Sequence, residues 1–290
     1  MPASPSPFSR SGIVTRLRAA GCVFAEDEAD LLISAARPQA ELAAMVDRRA
    51  AGEPLEHVLG WAEFCGLRIE LDPGVFVPRR RSEFLVDQAA ALARQAPAAL
   101  ARQAGSPAER DAAVGPAGLA HGRRRVVVDL CCGSGALGAA LAAVLGQVEL
   151  HAADIDPAAV RCARRNVAAA GGRVYEGDLY QPLPAGLRGR VDILLANVPY
   201  VPADEVALLP AEAREHESRA ALDGGADGLD VLRRVTAAAP LWLAPGGSLL
   251  VETSERQAPQ AVEAAARSGL VPRVASSEEL NATVVIATRA

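Results

Sequence analysis

Val126-Val127-Val128-Asp129-Leu130-Cys131-Cys132-Gly133-Ser134-Gly135-Ala136-Leu137-Gly138 runs from an apolar stretch through a glycine turn into an alanine-rich segment. A β-branched run of strand length followed at once by glycines and a helical pattern opens a strand, turn and helix unit. The pattern repeats downstream. Helices are expected over Ala136 to Val144 and Pro157 to Ala170, with strands over Val148 to Ala153, Arg173 to Tyr175, Val191 to Ala196, Ser248 to Glu252 and Thr283 to Ala287. Apolar strands alternating with helices predict an α/β domain with a mostly parallel sheet covered on both faces. Ligands of such sheets sit beyond the C-terminal strand ends.

Upstream the period changes. Ile13, Leu17, Leu31, Leu32, Leu42, Met45 and Val46 fall at helical spacing, with Pro38 between segments, and predict a small helical unit from Ser11 to Gly52. Trp61 to Val77 alternates through Phe64, Leu67, Ile69 and Leu71, and Asp72-Pro73-Gly74 is a strong turn signal, so a β-hairpin is expected. Ser82 to Arg102 reads as a helix with Ser82 as N-cap and Glu83 in its first turn. The chain thus divides into residues 1–75, helices plus hairpin, and a second domain over 76–290. Residues 103–122, rich in Ala, Gly and Pro, are expected to form a flexible loop. Met1 to Arg10 lacks an apolar core segment and reads as a tail, not a signal peptide.

Composition narrows the function. Of 290 residues 50% are apolar, enough for a full core, and all 30 basic residues are arginine. The complete absence of lysine beside so much alanine reads as coding bias. A net charge of −5, with more acidic than basic residues in the first 90, argues against a broad phosphate-binding face. Five cysteines without CxxC spacing make neither a disulfide framework nor a zinc site, and fit a reducing cytoplasm. His57, His121, His151 and His216 show no ligand spacing, so no metal is expected. No stretch approaches a membrane span.

The glycine turn admits two cofactors. Gly133 to Gly138 satisfies GxGxxG, and Asp154 closes the next strand roughly 20 residues on, as a dinucleotide site requires. Asp129 at the strand end shifts the balance: a carboxylate there opposes a pyrophosphate but suits the ammonium of a methionine moiety. The reading therefore favours S-adenosylmethionine over NAD. Asp129, Cys131, Cys132, Gly133, Ser134 and Gly135 would cradle it, and Asp154 would accept the ribose hydroxyls. Asp178 and Leu179, after the third strand of this domain, supply a further carboxylate and an apolar neighbour at the same edge.

Asn197-Val198-Pro199-Tyr200 ends the apolar run Val191 to Ala196. An amide, main-chain carbonyls and an aromatic face at a buried strand end are what is needed to grip a flat NH2 group. Together with Gly52 to Gly60, the hairpin, Asp72 to Arg79 and the Asp129 to Gly135 loop, this tetrapeptide resembles the protein glutamine N5-methyltransferases that modify peptide-chain release factors. The resemblance spans nearly the whole chain from Ser11. It implies a Rossmann-like class I S-adenosylmethionine methyltransferase domain behind a small helical domain and connecting hairpin, acting as a cytoplasmic monomer on a protein with an exposed glutamine, without membrane or direct nucleic-acid contact.

The resemblance further implies that Asn197 and the Val198 carbonyl accept the two N–H groups of the acceptor amide while Tyr200 packs on its plane. Asn197 and Tyr200 would then be the catalytic pair, Val198 and Pro199 would complete the acceptor site, and Asn197 would also border the cofactor. Adenosine would extend toward Asp178 and Leu179. The chain departs from the family at three places. Val198 replaces a proline, Cys131 replaces the first glycine of the loop, and Arg80 and Arg81 replace a proline and an acidic residue. Two other readings use the same residues: a nucleic-acid amino methyltransferase that flips its base into the pocket, and a non-catalytic binding module on the same fold.

Overall fold

A computed structural model describes residues 9–36, 39–103 and 124–290. The expected tail falls outside the described residues up to position 8, and Arg10 already begins a helix. Of the segment 103–122, Gln103 ends a helix and the remainder lies outside the described residues.

Helices α1 (Arg10–Ala19), α2 (Ala25–Ala35), α3 (Gln39–Ala50) and the short α4 (Leu55–Leu59) surround a core of Ile13, Leu17, Leu32, Met45, Val46 and Val58. Arg49 joins α3 to α2 through a bidentate pair with the buried Glu28, 2.6 and 3.1 Å. Gly60 ends α4 at φ 77°, a left-handed conformation that glycine adopts without strain, and its N–H donates to Glu56 O.

Strands β1 (Trp61–Phe64) and β2 (Leu67–Glu70) form the hairpin, with Phe64 opposite Leu67. Its turn is Cys65-Gly66, at φ 50° and 71°, and not Asp72-Pro73-Gly74, which follows the second strand. Two-residue hairpin turns that match strand twist need positive φ at both central residues. Proline, fixed near −65°, cannot supply it. The apolar core of the helical unit takes in Val58 and Leu59. Phe64 and Ile69 share a core with Leu85, Val127, Leu141 and Ile193, while Leu71, Val75 and Val77 pack on Ala159 and Cys162.

The long helix α5 (Glu83–Gln103) leads into a seven-stranded sheet of order β5-β4-β3-β6-β7-β9-β8. Strands β3 (Arg125–Leu130), β4 (Val148–Asp154), β5 (Arg173–Glu176), β6 (Val191–Ala196) and β7 (Leu243–Thr253) run parallel. β9 (Ala282–Thr288) is antiparallel to both β7 and β8 (Val271–Ser277). Helix α6 (Ala136–Leu145) is buried from Ala136 to Ala142 between the sheet and α5, which its small side chains permit. Helix α7 (Pro157–Asn166) starts on an Asp156 N-cap that accepts from Ala158 N at 2.8 Å.

Edge strand β8 departs from the expected set. It is mostly exposed, contains Pro272 and three polar side chains, and so carries little apolar periodicity. Chain order reverses between β3 and β6, where Leu130 pairs with Ala196. That is the crevice in which open α/β sheets bind ligands, and both the glycine turn and the Asn197 tetrapeptide begin one residue beyond that pair.

Candidate active site

A cavity of about 550 Å³ opens at this crevice. Cys131, Cys132, Gly133, Ser134 and Asp154 line one side, and Asn197, Val198, Pro199 and Tyr200 the other. The front wall comes from Phe64, Phe76, Arg79, Arg81 and Ser82, and the cover from Glu217 to Leu222 apart from Arg219. The glycine turn and the tetrapeptide, some sixty positions apart in the sequence, thus face one space.

The loop is built around two carboxylates. Asp154 Oδ2 accepts from Gly133 N at 2.8 Å and its Oδ1 from Asp156 N at 2.9 Å, and burial pushes its carboxyl above the ordinary range. Asp129 is fully buried beneath the loop, outside the cavity wall. Its Oδ2 accepts from Gly138 N at 2.9 Å and its Oδ1 has no partner. Burial pushes that carboxyl up to about 7, with Gly138 N–H opposing and Asp154 adding to the shift.

The glycines divide their duties. A Cβ at Gly133 would meet open space, so this is where backbone can approach a ligand. At Gly135 it would lie 3.1 Å from Ala163 Cβ, so that glycine lets the loop pack on α7. Cys131 sits at φ 53°, where an L side chain is strained. Burial raises both the Cys131 and Cys132 thiols.

The tetrapeptide is held from several elements. Asn197 Nδ2 donates to Ser82 Oγ at 3.2 Å, which leaves Oδ1 as an acceptor for a ligand. Ser82 belongs to a 3-10 turn over Arg80–Ser82 ahead of α5, where its hydroxyl serves Asn197. The Tyr200 hydroxyl accepts from Arg81 and lies 3.5 Å from Glu252 Oε1; burial, with Glu252 next, pushes the phenol up to about 12. Gln257 Nε2 donates to Tyr200 O and Asp227 O, both at 3.0 Å. A Cβ at Gly224 would lie 2.6 Å from Pro199 O and one at Gly228 2.3 Å from Tyr200 O, so the Asp223 to Gly228 turn fits against the tetrapeptide only with glycine there.

Three contributors were not singled out from the sequence. Glu217, side chain 1% exposed, accepts from Arg79 at 2.5 Å and Val77 N at 3.2 Å, and has one oxygen unpartnered. Asn166 clips the hairpin to the loop: its Oδ1 accepts from Glu70 N (2.8 Å), and its Nδ2 donates to Glu70 O (2.9 Å) and Ser134 O (2.8 Å). Ile155 is 58% exposed and lines the cavity beside Asp154. An apolar residue directly after a strand-end aspartate was the available signal for it. Asp178 and Leu179 lie outside the cavity wall, with Asp178 paired to Arg234. Among the described residues no group of three or more His, Cys, Asp or Glu side chains could hold a metal ion, and no helix is long and apolar enough to cross a membrane.

The Methyltransferase small domain family model matches residues 117–269. The release factor glutamine methyltransferase of Geobacter sulfurreducens is 38% identical over 234 residues, covering 79% of this chain and 72% of that protein. The chain belongs to the release factor glutamine methyltransferase family. A second such relative, from Mycolicibacterium smegmatis, is 36% identical over 81% of this chain and 74% of its own length. The 4-amino-L-phenylalanine/4-methylamino-L-phenylalanine methyltransferase of Streptomyces pristinaespiralis is 33% identical over 84% and 75%. Membership in the family makes the chain a methyltransferase, with S-adenosylmethionine as methyl donor.

The residues present fit that donor. Asp154 keeps spare lone pairs toward the cavity for hydroxyl donors. The orphaned Asp129 Oδ1 is a buried carboxyl oxygen without a hydrogen-bond partner beneath the loop, and Ile155 offers an apolar face.

Proposed function

We propose that the chain methylates the side-chain amide nitrogen of a glutamine in a peptide-chain release factor. The observation that carries this reading is the shared cavity, with the Asn197 tetrapeptide on one wall and the Asp154 loop on the other. The Cys131 to Gly135 loop and Asp154 would hold the donor, with Asp129 countering its ammonium from below and Asp178 and Leu179 flanking its adenosine end. The donor supplies an electrophilic methyl on a sulfonium.

The protein's contribution is orientation. An amide nitrogen is a poor nucleophile because its lone pair is delocalised. Asn197 Oδ1 and the Val198 carbonyl would each take one N–H, aim the nitrogen at the methyl, and stabilise the positive charge that grows on it. Tyr200 would cover the amide plane. Val198 preserves the accepting carbonyl although it lacks a proline ring. Val198 is buried, so that side of the acceptor site is an apolar wall. The proton can leave to water after transfer, so neither a metal nor a strong base is required.

The enzyme is read as a cytoplasmic monomer with the helical unit meeting the protein acceptor, without membrane or nucleic-acid contact. Labelled-methyl transfer to a purified release factor, in parallel with DNA, RNA and 4-amino-L-phenylalanine, tests the acceptor. Label on one glutamine of the release factor, located by mass spectrometry, is expected. Label confined to nucleic acid or to the small amine would overturn the reading.

A further inference from the structure

Arg81 has no part in the roles assigned above, yet it lines the acceptor side of the cavity. It comes from the turn before α5, across the cavity from the sheet, and reaches the C-terminal end of β7. There its Nε donates to Glu252 Oε1 at 3.0 Å. Its Nη2 donates to the Tyr200 hydroxyl, and its guanidinium carbon stands 5.8 Å from the Tyr200 ring centroid.

The Glu252 side chain is only 2% exposed, against 44% for Arg81. Among the described residues no other cation pairs with it, and its Oε2 is a buried oxygen without a hydrogen-bond partner. The Tyr200 hydroxyl can donate to the same Oε1 that Arg81 engages. Arg81 and Tyr200, from separate parts of the chain, therefore close on one oxygen of Glu252, and the phenol has no further side-chain partner among the described residues.

We propose that Arg81 is a positioning residue for methyl transfer, acting through Glu252 and the Tyr200 hydroxyl to fix the aromatic ring against the acceptor amide. The inference rests on the acceptor role given to Tyr200. Ring rotation about the side-chain bonds of Tyr200 is restrained at its far end by the hydroxyl, and Gln257 secures only its main chain. Loss of Arg81 removes the hydroxyl's donor and leaves Glu252 a buried carboxylate without a countercharge. An unpaired carboxylate in that surrounding is strongly disfavoured, and its side chain turns toward water. That movement frees the phenol, and the ring then no longer holds the amide plane in line with the methyl group.

The test compares Arg81→Met, Arg81→Lys, Tyr200→Phe and the double variant Arg81→Met/Tyr200→Phe, using the full chain with a purified release factor as acceptor. Cofactor affinity is measured by calorimetry. Misplacing a reacting group by about 1 Å costs up to about 100-fold, so Arg81→Met and Tyr200→Phe are each expected to lower kcat about 10- to 100-fold. Acceptor KM and cofactor Kd should move less than about 3-fold, because ring alignment matters chiefly in the transition state. Arg81→Lys should recover much of kcat, and the double variant should be no slower than Tyr200→Phe.

Additive losses in the double variant, or equal damage from the lysine and methionine variants, would overturn the inference. If Arg81→Met does not fold, Tyr200→Phe decides alone, since it deletes only the hydroxyl that Arg81 holds: an unchanged kcat refutes the proposal and a 10-fold loss supports it. Asn197→Ala separates this from the acceptor reading. Retained turnover in Asn197→Ala removes that reading itself, whereas its loss beside an unaffected Tyr200→Phe removes only the role of Arg81.

Discussion

Replacing Asn166 by alanine would cut three hydrogen bonds that join hairpin, helix and cofactor loop. The two to the Glu70 main chain, at 2.8 and 2.9 Å, are open to solvent, and water can replace most of their value. The third, to Ser134 O at 2.8 Å, is part-buried in a residue only 3% exposed. Taking about 0.5 kcal/mol for each exposed bond and about 1–1.5 for the sheltered one gives about 2–2.5 kcal/mol. Alanine returns up to about 0.7 kcal/mol of helix propensity at the end of α7. The expected net loss is therefore about 1.3–1.8 kcal/mol.

Asn166→Asp sharpens the test. It keeps the acceptor for Glu70 N but turns a carboxylate oxygen toward two carbonyls, so it should cost at least as much as alanine despite its matching shape. Urea unfolding followed by tryptophan fluorescence is the assay, with Trp61 on the hairpin as one reporter. Cofactor affinity should fall with stability in both variants, since the Ser134 carbonyl loses its anchor. Losses below about 0.5 kcal/mol, or an aspartate variant more stable than the alanine one, would refute the account of this clip.

Asn197→Ala should retain calorimetric binding of S-adenosylmethionine and lose about 100- to 1000-fold in turnover, the scale seen when a transition-state hydrogen-bond partner is removed; equal loss of both would place Asn197 in the donor site alone. The Asp129 carboxyl is held up to about 7 against an ordinary 3.8, so between these values the folded chain keeps a proton that the unfolded chain has released. Stability should therefore fall as pH rises from about 4 to about 7, and Asp129→Asn should flatten that slope in thermal melts; an unaltered slope would contradict the assignment. Cys131→Gly relieves about 1–2 kcal/mol of left-handed strain against about 0.5–1 kcal/mol of added chain entropy. It should be neutral or stabilising in urea titrations and Cys131→Val clearly destabilising; the reverse order would show that the thiol's packing dominates.

What the sequence made legible was local. Val126 to Gly138 and Asn197 to Tyr200 are continuous stretches whose residue order encodes a strand end, a turn and the groups presented there. That the two meet follows from strand order, in which Leu130 and Ala196 are paired neighbours. Glu217, Arg79 and Asn166 were less visible, because each draws its meaning from a partner far along the chain and resembles a solvated surface residue in isolation. The hairpin turn escaped for a different reason. Cysteine at Cys65 takes a conformation usually given to glycine or asparagine, so the conspicuous Asp72-Pro73-Gly74 drew the turn downstream. Asp129 shows a third limit. Its place at the strand end was readable, but its depth below the cavity depends on how closely Gly138 lets α6 approach.

The parting of the two cores at Gly60 has a practical meaning for chimeras. The helical unit keeps its own apolar interior as far as Leu59, while Phe64 and Ile69 on the hairpin are rooted in the sheet. A graft carrying another relative's helices should therefore be spliced at Gly60, where a left-handed glycine already ends one helix. A splice at residue 75 would tear Phe64 out of the cavity wall and leave Asn166 without its hairpin. Among the seams the donor helices would have to match are the Arg49 link to Glu212 and the His57 ring against the Val75 carbonyl. The helical unit is the part proposed above to meet the acceptor, so such a graft is expected to carry acceptor preference with it.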